Sequence, residues 1–355
     1  MEQRHGAIGE RTGRETIMAN AMHLVQLGQS GRRAVAIVDG GALRLLSSYT
    51  SVYDLALEAI RRDLSLTGLA RQSAGGETLD YDAVYTGNSS WHLLSPMDHP
   101  GDPARTMVSG TGLTHKVSAE NRAAMHKGAN VTITDSMRMF QLGKEGGQPS
   151  PGTIGVQPEW FYKGNGAILR AHNEALDVPA YALDGGEEPE IAAAYVIGED
   201  GQPFRVGFMP GNEFSDHVTE KQNYLYLAHS KLRTCSIGPE IVIGGSECFH
   251  DLEGTVKIER SGAELWKAKV YSGEKNMCHS LENLEHHHFK YESHRRPGDV
   301  HIHFFGADAF SFGENVRLED GDVMEVSFPG LGRSLKNTVH VASEPQQLAR
   351  VRGLA

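Results

Sequence analysis

The chain is poor in cysteine. Its 355 residues include three, Cys235, Cys248 and Cys278. They show neither C-x-x-C spacing nor an even framework, which excludes a disulfide-stapled secreted scaffold and a cysteine-rich zinc ribbon. No run approaches roughly 18 apolar residues, so no membrane-spanning helix is expected. Positive charge is also short. Thirty-four Lys and Arg face 45 Asp and Glu, a formal net charge of -11, which argues against nucleic acid or an anionic membrane surface as the main partner. Neither G-x-S-x-G nor H-E-x-x-H occurs, so serine-hydrolase and zincin chemistry have no support. The first twenty residues are polar, mixed in charge and without the apolar core of a secretory signal. Residues 1–21 are expected to form a disordered leader, and the protein to work in the cytoplasm.

What is present reads as a globular chain, 39% hydrophobic and 22% charged. Two apolar runs between residues 23 and 46, broken by Gly-rich turns, predict hairpin strands. In "SVYDLALEAIRRDLS", Val52, Leu55, Ala56, Ala59 and Ile60 share one helical face, and Ser51 with Asp54 resembles a capping box. Residues 22–95 thus read as a small α+β domain. A Pro-rich stretch at 93–105 suits a linker. From 96 to 355, Gly-punctuated apolar runs ("AAAYVIG", "EIVIGG", "GTVKIER", "DVHIHFFG", "GDVMEVSF") predict a β-rich domain. Its helix candidates are residues 220–232 and 278–292, the second capped by Ser280.

The candidate chemistry is acidic. Glu188 and Glu190 are two apart on a strand and so share a face. Close carboxylates repel unless a cation neutralises them. A third acid, Glu213, follows in "GNEFSDH" with Asp216 beside it. Three carboxylates suit a hard ion such as Mg2+ or Mn2+; the competing reading is a solvated strand edge. Lys163 in "PEWFYKGNG" and Lys231 in "LAHSKLRTC" lie in apolar or aromatic settings. There they either clamp a carboxylate or enolate oxygen or snorkel at the surface. His115, in a Gly-rich turn, is a general acid/base candidate or an ordinary surface histidine. The dense histidine stretch 286–303 is read chiefly as a wet helix face, with His301 and His303 alternating on a strand.

These segments, in order over residues 93–340, resemble the fumarylacetoacetate hydrolase family. "LLSPMDHPGDP" with "GTGLTH" resembles its lid entry, "PEWFYKG" its Phe-x-Lys strand, and "EPEI" its Glu-x-Glu pair. "GNEFSDH" resembles the segment carrying the third ligand, "KLRTCSIGPE" the Cys-x-x-Gly-Pro turn, and "SGEKNMCHSLENL" the Ser-x-x-x-Met stretch. Two Gly-Asp-Val turns near the end complete the pattern. The pattern is nearest to members found with sugar-acid catabolism. The resemblance implies a mixed β-roll, usually a homodimer, with Mg2+ or Mn2+ held by Glu188, Glu190 and Glu213. It implies a small 2-oxo acid substrate; Lys163, Arg233 and Ser272 are the candidates for holding its oxygens.

The departures point away from hydrolysis. Glu213 stands where aspartate is usual. The lid's usual His-x-x-Glu is absent, since His115 is followed three on by Ser118, and Glu120 is out of register. The surviving groups suit an enolate without a positioned water: dehydration of a 2-dehydro-3-deoxy sugar acid, with Lys231 or His115 as the base. A lysine base requires surroundings that lower its pKa. The alternatives are a hydrolase, isomerase or decarboxylase of 2,4-dioxo acids with Glu120 as lid acid, and a non-catalytic sugar-acid binding protein.

Overall fold

The computed structural model describes residues 21–116, 119–120 and 134–354. The leader reading falls on residues 1–20, outside the described residues. Among the described residues the fold is α+β and strand-rich, with one thirteen-stranded and one five-stranded sheet. The main path of the larger sheet runs Ala74–Asp80, Ala42–Leu46, Arg32–Asp39, Met22–Gln29, Ile241–Ile243, Pro203–Asn212, Pro189–Ile197, Val300–Phe304, Thr106–Gly110, Phe161–Asn165. The N-terminal meander therefore joins the rest of the sheet through Met22–Gln29 against Ile241–Ile243. The smaller sheet runs Ala263–Ser272, Leu252–Arg260, Val323–Ser327, Leu335–Val341, Ala175–Val178.

Strand Pro189–Ile197 is buried on both faces, because alternate residues feed two cores. Ile191, Ala193, Tyr195 and Ile197 join one, beneath the smaller sheet. Ala192, Ala194 and Val196 join the other, against the helix Val52–Arg61. Small alanines let both layers approach closely, which is why this strand is a continuous apolar run rather than an alternating one.

The first helix spans Val52–Arg61 and buries Val52, Leu55, Ala56 and Ala59, the predicted face. Ser51 Oγ accepts from Asp54 N and donates to Asp54 Oδ2. Ser280 caps Leu281–Phe289 as predicted. The single helix expected over 220–232 is corrected. The chain forms helix His217–Gln222, a 3-10 turn Tyr224–Tyr226 and helix Leu227–Lys231. Asn223 is extended, and its side chain accepts from Leu225 N, an alternative to the helical ladder that breaks the run. The wet histidine face is also corrected. His287 and His288 are buried, and His288 lies against His294, His301 and His303.

Candidate metal centre

One hairpin assembles the three acids. Pro189–Ile197 pairs antiparallel with Pro203–Asn212, Glu190 opposite Gly211 and Pro189 opposite Asn212. Just beyond the ladder, Glu213 N donates to Glu188 O at 2.9 Å. Strand alternation sends Glu188 and Glu190 to one side. Glu187 goes to the other, where it accepts from Ser311 N (2.6 Å) and Oγ (2.8 Å). Glu188, Glu190 and Glu213 each place one carboxylate oxygen within 4.8 Å of the others, and all three are buried. The solvated-edge reading is thereby corrected.

The two lysines are here as well, and they are not surface groups. Lys231 Nζ donates to Glu188 Oε1 at 2.5 Å, to Glu213 Oε2 and to Ser215 Oγ. Lys163 Nζ donates to Phe214 O (2.7 Å) and Lys231 O (3.1 Å), and lies 2.6 Å from Glu213 Oε1. Two of its three N–H directions are thus taken by carbonyl oxygens. The Glu213 Oε1 contact is close but poorly aligned, so that buried oxygen keeps a lone pair without a directed donor.

Electrostatics follow from this crowding. Burial alone would raise Glu188, but Lys231 and His217 hold it well below the usual carboxylate range. Burial raises Glu190, and the charges of Glu213 and Glu188 raise it further. Burial also raises Glu213 against the pull of both lysines. Burial would lower Lys231, yet Glu188 and Glu213 outweigh it and push its pKa up. The lowered lysine pKa required for a base is therefore not met in this arrangement. The donor set, all carboxylate oxygen, fits a hard divalent cation.

The structure brings His115 near this group by a short path. Thr114 Oγ1 donates to Phe305 O (2.7 Å), and Gly306 N donates to Glu190 Oε2 (2.7 Å). Only glycine suits position 306: φ is +98°, and a Cβ would lie 2.1 Å from Thr114 Oγ1. His115 Nδ1 is 3.0 Å from Thr114 Oγ1, while Nε2 is buried without a partner. Burial lowers its pKa to about 4, so the ring is neutral at pH 7. Glu120 is exposed and pairs with Lys116 at 3.3 Å. Arg233 is buried, bonded to Asp184 O (3.1 Å) and paired with Asp216. Arg233 and Lys163 line a cavity of about 460 Å3 whose rim includes Tyr162, Tyr181 and Leu232. Ser272 ends a strand of the smaller sheet, its buried Oγ without a partner. Downstream of it, Cys278 N donates to Thr114 O at 2.9 Å, so this stretch backs the His115 turn.

His217 was not singled out from the sequence. Its Nε2 lies 3.1 Å from Glu188 Oε1, and its ring packs on Phe310 and Phe312. No local pattern in the sequence pointed to it.

No family model matches the chain. A curated protein of Haloferax volcanii, a probable 2-keto-3-deoxyxylonate dehydratase, is 27% identical over 327 residues, covering 90% of this chain and 99% of that protein. A solved 2-keto-3-deoxyarabinonate dehydratase has a TM-score of 0.69 at 20% identity, covering 91% of this chain and 100% of that one. A 2-keto-3-deoxy-D-arabinonate dehydratase complexed with magnesium and 2,5-dioxopentanoate gives 0.68 at 20% identity with the same coverage. A 2-hydroxyhepta-2,4-diene-1,7-dioate isomerase from Mycobacterium marinum gives 0.56 at 16% identity, covering 91% and 100%. At these identities the solved structures speak for the fold, which is the one the sequence resemblance implied.

Proposed function

From a chain that has the fumarylacetoacetate hydrolase fold and groups with its sugar-acid branch, we propose a metal-dependent hydro-lyase that dehydrates a 2-dehydro-3-deoxy sugar acid of pentonate length. The observation that carries this reading is the buried Glu188–Glu190–Glu213 group with Lys231 against it. Those three carboxylates would hold Mg2+ or Mn2+, which supplies Lewis-acid withdrawal of charge from a 2-oxo carboxylate and so acidifies C3.

The remaining work falls to the chain's own groups. His115 is neutral, with an unpartnered Nε2, and is the base candidate for the C3 proton. Lys231 donates to Glu188 and Glu213 from beside the proposed ion. It suits donation to the C4 oxygen as the C4–O bond breaks and water leaves. The resulting 2-oxo-3-ene acid then shifts its double bond toward C5 and tautomerises to 2,5-dioxopentanoate, with one water lost overall. A positioned acid or base adds about 10²–10⁴-fold to such a step. Lys163 beside Glu213, Arg233 and the unpartnered Ser272 hydroxyl are proposed to hold substrate oxygens.

A homodimer is proposed as well, with the exposed Tyr162, Tyr181 and Leu232 of the cavity lining as candidate contacts with a second copy. Three free, buried cysteines fit a reducing cytoplasm. No helix among the described residues is long and apolar enough to cross a membrane.

Incubation of the purified protein with Mg2+ and 2-dehydro-3-deoxypentonate tests the reading. The expected product is 2,5-dioxopentanoate. Cleavage of a 2,4-dioxo acid instead, or metal-dependent binding without turnover, would overturn it.

A further inference from the structure

We propose that His217 is a positioning residue that fixes the Glu188 carboxylate for metal binding because it is wedged between Phe310 and Phe312. The inference rests on the reading of Glu188, Glu190 and Glu213 as metal ligands.

His217 opens the short helix after Asp216, and its ring is 2% exposed. Phe310 stacks on one side at 4.9 Å and 13°, and Phe312 packs at 5.0 Å and 32°. The ring's edge is set by Gly186, where a Cβ would lie 2.5 Å from Nδ1. Nδ1 has no partner, and the other nitrogen meets Glu188 Oε1 at 3.1 Å. A carboxylate can only accept here, so the proton is assigned to Nε2.

The segment that supplies the two phenylalanines is itself tied to the acidic strand. Gly306 N binds Glu190 Oε2, and Ser311 N and Oγ bind Glu187. Residues 306–312 thus reach Glu187 and Glu190 directly, and Glu188 through His217. Without the imidazole, Glu188 Oε1 is left to Lys231 alone and is drawn toward it. A ligating carboxylate whose outer hydrogen bond is removed loses orientation, and such losses cost roughly 10–100-fold in metal affinity.

Titration calorimetry of the full chain with MgCl2 alone reads this without turnover. His217→Ala is expected to weaken Mg2+ binding about 10–100-fold. His217→Gln, which keeps an N–H in reach, recovers most of the loss. Phe312→Leu leaves the imidazole in place but loosens its wedge, and is expected to fall between the wild type and His217→Ala; it serves if His217→Ala does not fold. Wild-type affinity in folded His217→Ala would overturn the proposal, as would Gln and Ala variants that bind equally weakly. A wild-type protein that binds no Mg2+ would instead overturn the metal reading beneath it.

Discussion

Acidification probes the buried histidines, and one substitution isolates a single ring. His303 is 1% exposed, with Nδ1 2.9 Å from Ser109 Oγ and Nε2 2.7 Å from Thr111 Oγ1. The His288 ring faces it at 4.6 Å and Phe305 packs alongside. Burial first, then His301 and His294, lowers its pKa from about 6.5 to about 3. Between those values the unfolded chain binds the proton and the folded chain does not. Stability from this group is complete above about pH 6.5 and is lost as pH falls toward 3. The slope approaches 1.4 kcal/mol per pH unit, which amounts to about 2 kcal/mol between pH 7 and pH 5. Buried carboxylates with raised pKa, among them Glu187, Glu190 and Glu285, act with the opposite sign over this range, so wild-type data alone do not isolate the term. His303→Gln keeps a donor and an acceptor for the two hydroxyls but cannot titrate. Urea unfolding with a chelator present, at pH 7, 6 and 5, is expected to show the variant losing about 2 kcal/mol less than the wild type. Equal losses in both proteins would refute the reasoning.

Glu190→Gln is expected to abolish stabilisation by Mg2+, which for one site at a hundred times Kd amounts to about 2.7 kcal/mol in the wild type; thermal melts with and without the ion check it. His115→Ala should lower turnover of 2-dehydro-3-deoxypentonate by about 10²–10⁴-fold while leaving Mg2+ affinity unchanged, as read by steady-state kinetics beside calorimetry. Lys163→Met removes one of the two lysines on Glu213 and leaves Phe214 O and Lys231 O without their donor. It should cost about 3–5 kcal/mol in urea unfolding, and a loss under 1 kcal/mol would contradict the burial described.

The parts of the fold legible in the sequence are those where local chemistry agrees with the tertiary result. Ser51 and Ser280 cap helices because their hydroxyls satisfy first-turn N–H groups, whatever lies beyond. The Glu188–Glu190 pair was legible from strand alternation, and Glu213 from its resemblance to a ligand segment. Legibility failed where a polar residue is buried by its neighbours. His287 and His288 read as solvated because imidazole is polar, yet Gly155 O accepts one and Trp160 Nε1 with His301 Nδ1 satisfies the other. His217 gave no signal because both of its phenylalanine neighbours are more than ninety residues away in the chain. The two glutamates that raise the Lys231 pKa were likewise not legible as its partners, since they lie 18 and 43 residues away in the chain.

The strand Pro189–Ile197 is held between two cores and flanked by paired strands on both edges. Acids at the end of a ribbon so confined cannot spread apart without disturbing both layers. Oxygen ligands sit at about 2.0–2.1 Å from Mg2+ and about 2.3–2.6 Å from Ca2+. Were the three acids to hold an ion, a scaffold so confined would resist the adjustment needed to exchange one radius for another.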